Sequence, residues 1–316
     1  MRRVLLTGAT GFVGLPLTAK LLSAEFDVVV AVRKLSSDFS SSVRQHVVAD
    51  LLPDTEWLSP LKDVDVVIHA AARVHIMNDN VANPLSEFRK VNTAGTLNLA
   101  RQAAESGVKR FIFISSIKVN GEMTAPGSLF VPDDNITVVD PYGLSKYEAE
   151  QGLLALAKNT SMEVVIIRPP LIYGPGVKAN FHSLLKWTNR GLPLPFALIK
   201  NKKSFVALDN LVDFIIQCIN HPKAANEIFL ISDGEDVSTA ELLRKIAKAF
   251  DKKAILLPIP VSLMKVVAKG LGKEDVASRL FGSLQVDSSK ARDLLGWEPV
   301  VTMDEQLKKM AKAGLK

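Results

Sequence analysis

The sequence predicts an α/β protein built on a doubly wound parallel sheet, with a smaller C-terminal α/β lobe. Three observations support this fold class. Short β-branched runs recur through the first half of the chain, helix-like segments separate them, and a glycine-rich loop follows the first run. A chain of 316 residues, of which 47% are hydrophobic and 23% charged, is too long for one small domain and can bury a core of this kind.

The predicted strands are runs of nearly continuous apolar character, which is typical of strands covered by helices on both faces. They are VLLT (4–7), VVVAV (28–32), VVIHA (66–70), FIFIS (111–115) and VVIIR (164–168). Between them, residues 12–24 and 92–106 carry leucine and alanine at helical spacing. Strands that alternate with helices through short links predict a parallel sheet.

The second half of the chain is richer in proline and glycine and poorer in strand signals. FLIS (229–232) is its clearest strand, and a helix is predicted over residues 240–250 after a Ser238 cap. The segment 254–272 is strongly apolar but interrupted by Lys265 and Lys269. We expect it to form a helix packed in the small lobe, and a helix lying at a membrane surface is the open alternative.

Charge and cysteine content narrow the class of protein. Lys and Arg exceed Asp and Glu by six, with a pI of about 9.2, which is compatible with nucleic acid, an anionic membrane or phosphorylated small molecules. The one cysteine, Cys218, cannot form an intramolecular disulfide or a cysteine zinc site, and it lies in an apolar helix pattern. We therefore expect a reducing, cytoplasmic compartment. We expect neither a membrane-spanning helix nor a metal centre, because no long apolar run or metal-ligand spacing occurs.

The glycine-rich loop predicts a site for a dinucleotide diphosphate. Residues 7–14 follow the first strand and open the first helix, with glycines at G-x-x-G-x-x-G spacing. Such glycines permit a tight turn, a close backbone approach to pyrophosphate, and helix packing on the sheet. The predicted cofactor contacts in the loop are Gly8, Thr10, Gly11, Phe12, Val13 and Gly14. With this loop, the sheet is predicted to be a Rossmann-type NAD(P)-binding domain.

The end of the second strand indicates which dinucleotide binds. An acid about 20 residues after the loop would take the ribose hydroxyl of NAD, and Arg33 and Lys34 stand there instead. Cations at this place accommodate the 2′-phosphate of NADP. We therefore expect NADP(H) to be favoured, with NAD(H) possible. Two solvated charges after a strand are the simpler alternative.

A tyrosine, a lysine and a serine form the predicted catalytic group. Asp140 can cap a helix that starts at Pro141, which places Tyr142 and Lys146 on one face. A nearby ammonium would lower the tyrosine pKa from its usual value near 10 and make the hydroxyl a proton carrier. A serine at residues 115–116, at the carboxyl end of a strand, could bind the reacting oxygen. An ordinary surface pair and a turn-forming serine remain the alternatives.

Taken together, these segments resemble the extended short-chain dehydrogenases/reductases, and within them the nucleotide-sugar epimerase/dehydratase group. The resemblance covers most of the chain. It includes the three loop glycines, Asp50-Leu51, His69 to Ala72, Asn92 to Thr96, Ser115-Ser116, Tyr142 to Lys146 and Arg168-Pro169.

The resemblance implies roles for single residues. Tyr142 is the acid/base, Lys146 its partner and nicotinamide-ribose ligand, and Ser116 the assisting hydroxyl. Asp50 and Leu51 would lie by the adenine, and Asn92 would brace the site. The remaining implied cofactor contacts are Ala70, Ala71, Ala72, Ser115, Arg168 and Pro169. The implied substrate contacts are Ser116, Lys118, Tyr142, Asn180, Ser204 and Arg279.

The later segments resemble a bacterial branch that acts at C4 of UDP-linked sugars. They are RPPLIYGPGVKANFHSLL (168–185), KKSFVALDNLVDF (202–214) and SRLFGSLQVDSSKARDLLGW (278–297). The leading hypothesis is a reductase of the 4-keto group of a UDP-linked deoxy-amino sugar, forming UDP-N-acetylquinovosamine for surface polysaccharide. The partner is then a UDP-sugar and not nucleic acid, and a homodimer is expected from the resemblance.

Three alternatives remain open. A 4-epimerase acting on UDP-glucose or UDP-N-acetylglucosamine would use the same residues, so they do not separate it from a reductase. A regulator that binds the dinucleotide without catalysis would not need Tyr142 and Lys146. A reductase of a sterol or flavonoid would need an apolar substrate site, for which the later segments give no resemblance.

The proposed domain limits follow from these patterns. The NAD(P)-binding domain is predicted to comprise 1–170 with about 204–221, and the substrate-binding lobe 171–203 and 222–316.

Overall fold

The computed structural model describes residues 1–74, 83–134, 138 and 140–314. Within these ranges, seven parallel strands form the main sheet. They are β1 (Arg3–Thr7), β2 (Asp27–Val32), β3 (Arg44–Val47), β4 (Val66–His69), β5 (Arg110–Ile114), β6 (Glu163–Arg168) and β9 (Ile228–Leu230). A second parallel pair joins β7 (Leu171–Tyr173) to β8 (Phe205–Ala207).

Helices connect the strands and continue to the C-terminal end of the described chain. The α-helices are α1 (Gly14–Ser23), α2 (Pro84–Phe88), α3 (Thr96–Glu105), α4 (Pro141–Asn159), α5 (Ala179–Asn189), α6 (Leu208–Asn220), α7 (Thr239–Ala249), α8 (Val261–Gly270), α9 (Glu274–Phe281), α10 (Ser289–Leu295) and α11 (Met303–Ala313). A π-helical segment (Arg89–Gly95) runs directly into α3, and 3-10 turns occupy Ile117–Val119 and Pro222–Ala224.

The strand order is β3-β2-β1-β4-β5-β6-β9. The chain therefore moves outward from β1 to β3 and then crosses back to β4 on the other side of β1. Crossovers that reverse in this way leave a crevice at the carboxyl ends of the central strands, where ligands of doubly wound sheets bind. The predicted fold class, a Rossmann-type α/β sheet, is confirmed.

The core consists of two apolar layers, one on each face of the sheet. On one face, strand residues pack with Leu17 and Leu21 of α1 and with Phe214 of α6. On the other face, Leu99 of α3 and Leu153 of α4 belong to the second layer. Every predicted strand of the sheet is buried on both faces, which explains why their sequences do not alternate.

Cys218 lies in the first layer, fully buried on α6. Burial raises the pKa of its thiol. The structure confirms the prediction of a core thiol.

A third apolar cluster joins the second, smaller sheet to the helices of the C-terminal half, including Tyr173, Phe181 and Leu242. α6 packs on α1 in the core of the main sheet. β9 lies inside the range assigned to the substrate lobe, yet it pairs with β6. The domain limits themselves stay a prediction. The short strands β3, β7 and β8 were not predicted from the sequence.

Candidate active site

The glycine-rich loop lies between β1 and α1, at the carboxyl edge of the sheet. Gly8 has a φ of +71°, which favours glycine, and a Cβ atom there would lie 2.7 Å from the Ala71 nitrogen. A Cβ atom on Gly14 would lie 2.1 Å from the Gly8 carbonyl oxygen. Gly8 therefore brings the loop against the residues after β4, and Gly14 brings α1 against the loop.

The start of α1 has the chemistry of an anion site. No side chain caps the helix, and its first turn has no acidic residue. In the part of the chain that the structure describes, the backbone N–H groups of Phe12 and Val13 have no hydrogen-bond acceptor. Unpaired N–H groups at a helix N-terminus bind phosphate well, so this loop fits a dinucleotide diphosphate. Thr10 and Gly11 are exposed beside it.

Arg33 and Lys34 follow β2 directly and are exposed to solvent. Neither side chain forms an ion pair with any residue that the structure describes. Both cations are thus available to a ligand at this end of the sheet. Asp50 is also exposed, whereas Leu51 is half-buried, and its carbonyl oxygen lies where a Cβ on Gly95 would collide with it.

The residues after β4 make the far wall of the loop site. Ala70, Ala71 and Ala72 are half-buried, and Ala71 N–H donates to the Thr7 hydroxyl. Asn92, buried in the π-helical segment, bonds both backbone groups of Arg73 and donates to the Ser145 hydroxyl. It thereby joins this wall to α4, which carries the tyrosine and lysine. A bracing role for Asn92 is consistent with these contacts and stays a prediction.

His69 lies beneath the site and is fully buried. Its ring contacts the hydroxyls of Thr7 and Thr96 and stacks on Phe113. Burial, with a smaller effect of the Lys146 charge, lowers the pKa of His69 to about 3. The imidazole is therefore neutral at physiological pH, and it links β1, β4 and α3 without carrying charge.

Lys146 is buried on α4, and its Nζ lies 3.9 Å from the centroid of the Phe113 ring. Burial lowers the pKa of Lys146 to about 7, and the Glu150 carboxylate partly opposes this. The side chain is held by a cation–π contact, a partner that the sequence analysis did not identify.

Tyr142 is half-buried in the first turn of α4, where its ring meets the edge of Phe88. Asp140 caps this helix through the Gly143 N–H, and Pro141 occupies the first position, as predicted. Burial, and then the Asp140 carboxylate, raise the pKa of Tyr142 to about 12.

The four-residue spacing of Tyr142 and Lys146 predicts the opposite, a tyrosine pKa lowered by Lys146. In the protein alone that expectation is wrong, since Lys146 is itself desolvated and faces Phe113.

The two serines after β5 have different surroundings. The Ser115 hydroxyl is buried and donates to Glu150. Ser116 is half-exposed, and its hydroxyl accepts the Lys118 N–H at the start of a 3-10 turn. Ser115 is therefore committed to the core, and Ser116 is the serine that a ligand can reach. This difference agrees with the choice of Ser116 as the assisting hydroxyl.

Arg168 is buried beside the same carboxylate. Its guanidinium forms a two-point pair with Glu150 and donates to the Asn120 side chain and the Pro132 carbonyl. Its position does not favour the predicted side-chain contact with cofactor. Pro169 accepts the Ile117 N–H through its carbonyl oxygen, so it too supports the strand end.

Gly143 explains how the serine and tyrosine segments come together, and sequence reasoning missed it. A Cβ atom there would lie 2.7 Å from the Lys118 carbonyl oxygen. Lys118 also forms ion pairs with Asp140 and Glu122, each at 3.0 Å. The predicted substrate contact Lys118 is thus a bridge between the turn after β5 and the start of α4.

The other predicted substrate contacts are dispersed. Ser204 is buried and bonds Asp236 and the Val286 N–H, so its hydroxyl serves the fold. Arg279 is exposed on α9, and its carbonyl oxygen accepts from Lys203, whose pKa burial lowers to about 8. Asn180 is exposed on α5, and no hydrogen bond joins it to Ser204 or Arg279 among the residues described.

Within the described ranges of the chain, no group of three or more His, Cys, Asp or Glu side chains could hold a metal ion. No helix in these ranges is long and apolar enough to cross a membrane.

The chain is similar to known proteins of one family. Residues 4–232 match the model of the NAD dependent epimerase/dehydratase family. A UDP-glucose 4-epimerase of Vibrio cholerae is 53% identical over 99% of this chain and 96% of its own. The N-acetyl-alpha-D-glucosaminyl-diphospho-ditrans,octacis-undecaprenol 4-epimerase of Escherichia coli O157:H7 is 29% identical, covering 91% of this chain and 88% of its own. The structure of a Bacillus cereus UDP-glucuronic acid 4-epimerase in complex with NAD superposes with a TM-score of 0.77, at 22% identity and 98% coverage of both chains.

These findings correct the main functional prediction. A reductase of a 4-keto sugar was expected, but a full-length relative at 53% identity is a 4-epimerase. The prediction was wrong because both reactions need the same tyrosine, lysine, serine and nicotinamide, so the residues that suggested one fit the other equally.

Proposed function

The chain belongs to the NAD-dependent epimerase/dehydratase family, and from that premise we propose that it epimerises C4 of a UDP-hexose, UDP-glucose or UDP-N-acetylglucosamine. Family membership makes it an enzyme acting on nucleotide sugars and sets aside the non-catalytic regulator. The observation that carries the choice of reaction is the 53% identity to the Vibrio cholerae UDP-glucose 4-epimerase over nearly the whole of both chains.

Different residues at the carboxyl edge of the sheet would bind the cofactor, transfer the proton and position the substrate. The loop after β1 would hold the cofactor diphosphate on the free N–H groups of Phe12 and Val13. When bound, the cofactor would supply a reversible hydride acceptor for sugar C4. The Tyr142 phenolate would take up the proton of the C4 hydroxyl, and the resulting tyrosine would give it back after the keto sugar has turned over, so atoms and charge balance. Ser116 would hold the reacting oxygen.

Tyr142 can act as proton acceptor only if its pKa falls from about 12. An opposite charge within about 4–6 Å stabilises the deprotonated form. Lys146, at one helical turn, supplies such a charge once it is protonated. Its own low pKa means that a ligand which accepts hydrogen bonds from the ammonium would favour the charged form and activate the tyrosine together with it.

The central test follows both 4-epimers without a coupled reductant. The protein is incubated with UDP-glucose or UDP-N-acetylglucosamine and catalytic cofactor, and products are separated by chromatography while nicotinamide absorbance is recorded. We expect the 4-epimer to form without net change of the cofactor. Oxidation of reduced cofactor in proportion to product would overturn the proposal.

A pair of tyrosine variants tests the proton carrier. Tyr142→Phe removes the hydroxyl and is expected to lower turnover by about 10²- to 10⁴-fold. Tyr147→Phe, on the same helix, is the matched control and should stay within a few-fold of the native rate. Equal activity of the two variants would contradict the assigned role.

We propose in addition that Arg33 and Lys34 favour the phosphorylated dinucleotide. Both are exposed and have no ion-pair partner among the described residues. Dissociation constants of NAD and NADP are compared by calorimetry for the native protein and Arg33→Ala. We expect a preference for NADP that Arg33→Ala reduces about tenfold. If the native protein binds both equally, this part of the proposal is lost while the epimerase reaction stands.

We also propose a cellular compartment and an oligomeric state. One buried cysteine fits a reducing cytoplasm, and the family resemblance implies a dimer, so we propose a cytoplasmic homodimer that serves polysaccharide synthesis. Light scattering of the purified protein measures the mass directly, and a monomer at micromolar concentration would contradict the dimer.

A further inference from the structure

We propose that the outer face of α8 binds the surface of an anionic membrane. This surface is defined as Leu263, Val266, Val267 and Leu271 together with the neighbouring Lys265 and Lys269. The inference concerns a part of the molecule remote in sequence from the proposed catalytic residues, and it goes beyond the proposed function.

The exposure of α8 is unusual for so apolar a helix. None of its residues is buried. Val266 and Leu271 are 68% and 67% exposed, and Leu263 and Val267 more than half. Scattered exposed apolar residues need no explanation, but a contiguous set marks an interaction surface.

These four side chains share one side of the helix. Residues at i, i+3, i+4 and i+8 lie on a single stripe at about 100° per residue. Val261 and Met264 are directed elsewhere, since they pack on the cluster formed by Leu184, Phe196 and Leu243. The helix is therefore attached to the protein on one side and presents a second apolar side to solvent.

The segment that carries this stripe is basic, and acidic residues bound it at Asp251 and Glu274. The 22 residues from 252 to 273 contain five lysines and no acidic residue. All five lysines are exposed, and none forms an ion pair within the described part of the chain. At about 100° per residue, Lys269 and Lys265 lie about 60° and 100° around the helix from Val266, beyond the edge of the stripe, where their long side chains can reach toward headgroups.

Apolar residues beside unpaired lysines fit a lipid surface better than a second copy of the chain. A helix in the membrane interface buries its apolar face about 5–10 Å deep and places its lysines at anionic headgroups. In a two-fold dimer through this face, the lysines of one chain would meet those of the other, and like charges disfavour such contact. α8 is too short to cross a membrane, which restricts it to the interface.

The experiment measures sedimentation of the full-length protein with vesicles. Vesicles of phosphatidylcholine alone are compared with vesicles containing phosphatidylglycerol, at low and high salt. We expect binding to the anionic vesicles that weakens with salt and is at least about tenfold weaker without anionic lipid, since each lysine near the surface contributes about 1 kcal/mol.

Two pairs of variants locate the contact. Lys265→Glu with Lys269→Glu reverses the charge on α8, and Lys308→Glu with Lys312→Glu does so at the same spacing on the exposed side of α11. Val266→Glu adds a charge to the stripe, and Leu35→Glu adds one at an equally exposed leucine far along the chain. We expect the α8 variants to lose at least tenfold in vesicle affinity and the controls to lose less than threefold.

Three results would overturn the inference. They are absence of vesicle binding by the native protein, equal loss in the α11 variant, and a change of oligomeric mass in the α8 variants, which would assign the face to a second copy. Activity on a water-soluble UDP-sugar is measured in parallel. The α8 variants should keep it, so failure of the membrane proposal and failure of the epimerase proposal are distinguishable.

Discussion

Helices α1 and α8 each contain ten residues, yet they relate to the protein in opposite ways. α1 buries Gly14, Leu17, Thr18 and Leu21 against the sheet and the loop before it. α8 buries none of its residues completely. The comparison shows that helix length and apolar content do not determine the role of a segment. α1 is packed into the core and leaves only its N-terminus free to bind a ligand. α8 is packed on one side and leaves its other side exposed to solvent.

In the packed core, the largest loss of unfolding free energy is expected when the buried ion pair between Glu150 and Arg168 is broken. Glu150→Gln leaves the Arg168 guanidinium buried without a carboxylate, which costs about 3–5 kcal/mol of unfolding free energy. Glu148 lies on the same helix as Glu150 and forms a half-exposed ion pair with Arg89. Glu148→Gln removes this pair and should cost about 1 kcal/mol or less. Urea titration measures both. Equal losses would mean that burial does not distinguish the two pairs.

Truncating one leucine on α1 and one on α8 compares how much each helix contributes to the unfolding free energy. Leu17→Ala opens a cavity in the first core layer and is expected to lower the unfolding free energy by about 2–5 kcal/mol. Leu263→Ala changes an exposed position and should stay within about 0.5 kcal/mol. Thermal and urea unfolding report both values. A large loss for Leu263→Ala would show that the outer face of α8 is packed in solution.

Each of these two helices has a glycine at one end, and replacing it by alanine is expected to change stability in opposite directions. Gly14→Ala forces a Cβ atom against the Gly8 carbonyl, so we expect a loss of about 1–3 kcal/mol and weaker dinucleotide binding. Gly270→Ala meets open space in α8 and should stabilise the protein by up to about 1 kcal/mol. Stability without ligand and cofactor affinity are measured for both variants. Stabilisation by Gly14→Ala would contradict the close packing of the loop.

The last expected effect accumulates gradually with pH and distinguishes a buried lysine from an exposed one. The pKa of Lys146 is about 7 in the folded protein and 10.5 ordinarily, so between these values the unfolded chain binds the extra proton. The unfolding free energy should therefore rise with pH across this window, by at most about 1.4 kcal/mol per unit. Lys146→Met should remove that slope, and Lys265→Met on α8 should not. An unchanged slope in Lys146→Met would place the titration elsewhere.

The fold was predictable because its signals are local. Strand runs, the spacing of Gly8, Gly11 and Gly14, and the Asp140 cap with Pro141 each act within a few residues, and the structure has all of them. The contacts that shape the site join distant segments. Phe113 under Lys146, Glu150 between Ser115 and Arg168, and Gly143 against Lys118 depend on which strand ends meet which helix, and the sequence analysis named none of them.

The tyrosine pKa and the reaction show two further limits of sequence reasoning. A spacing of four residues predicts that Tyr142 and Lys146 are neighbours, but the pKa of each depends on burial by residues far along the chain. Reduction and epimerisation begin with the same proton and hydride geometry, so residue types could not separate them. The relative at 53% identity over 99% of this chain favours the epimerase alternative over the reductase, because the similarity extends beyond the shared catalytic group.

The burial of Cys218 has a practical consequence for spectroscopy. It is the one cysteine of the chain, it has no exposed surface, and its thiol pKa is raised, so it is protected from maleimide and nitroxide reagents in the native state. A cysteine introduced by Val266→Cys would be the single reactive thiol. A fluorophore or spin label there would report the polarity around α8 with the native cysteine left in place.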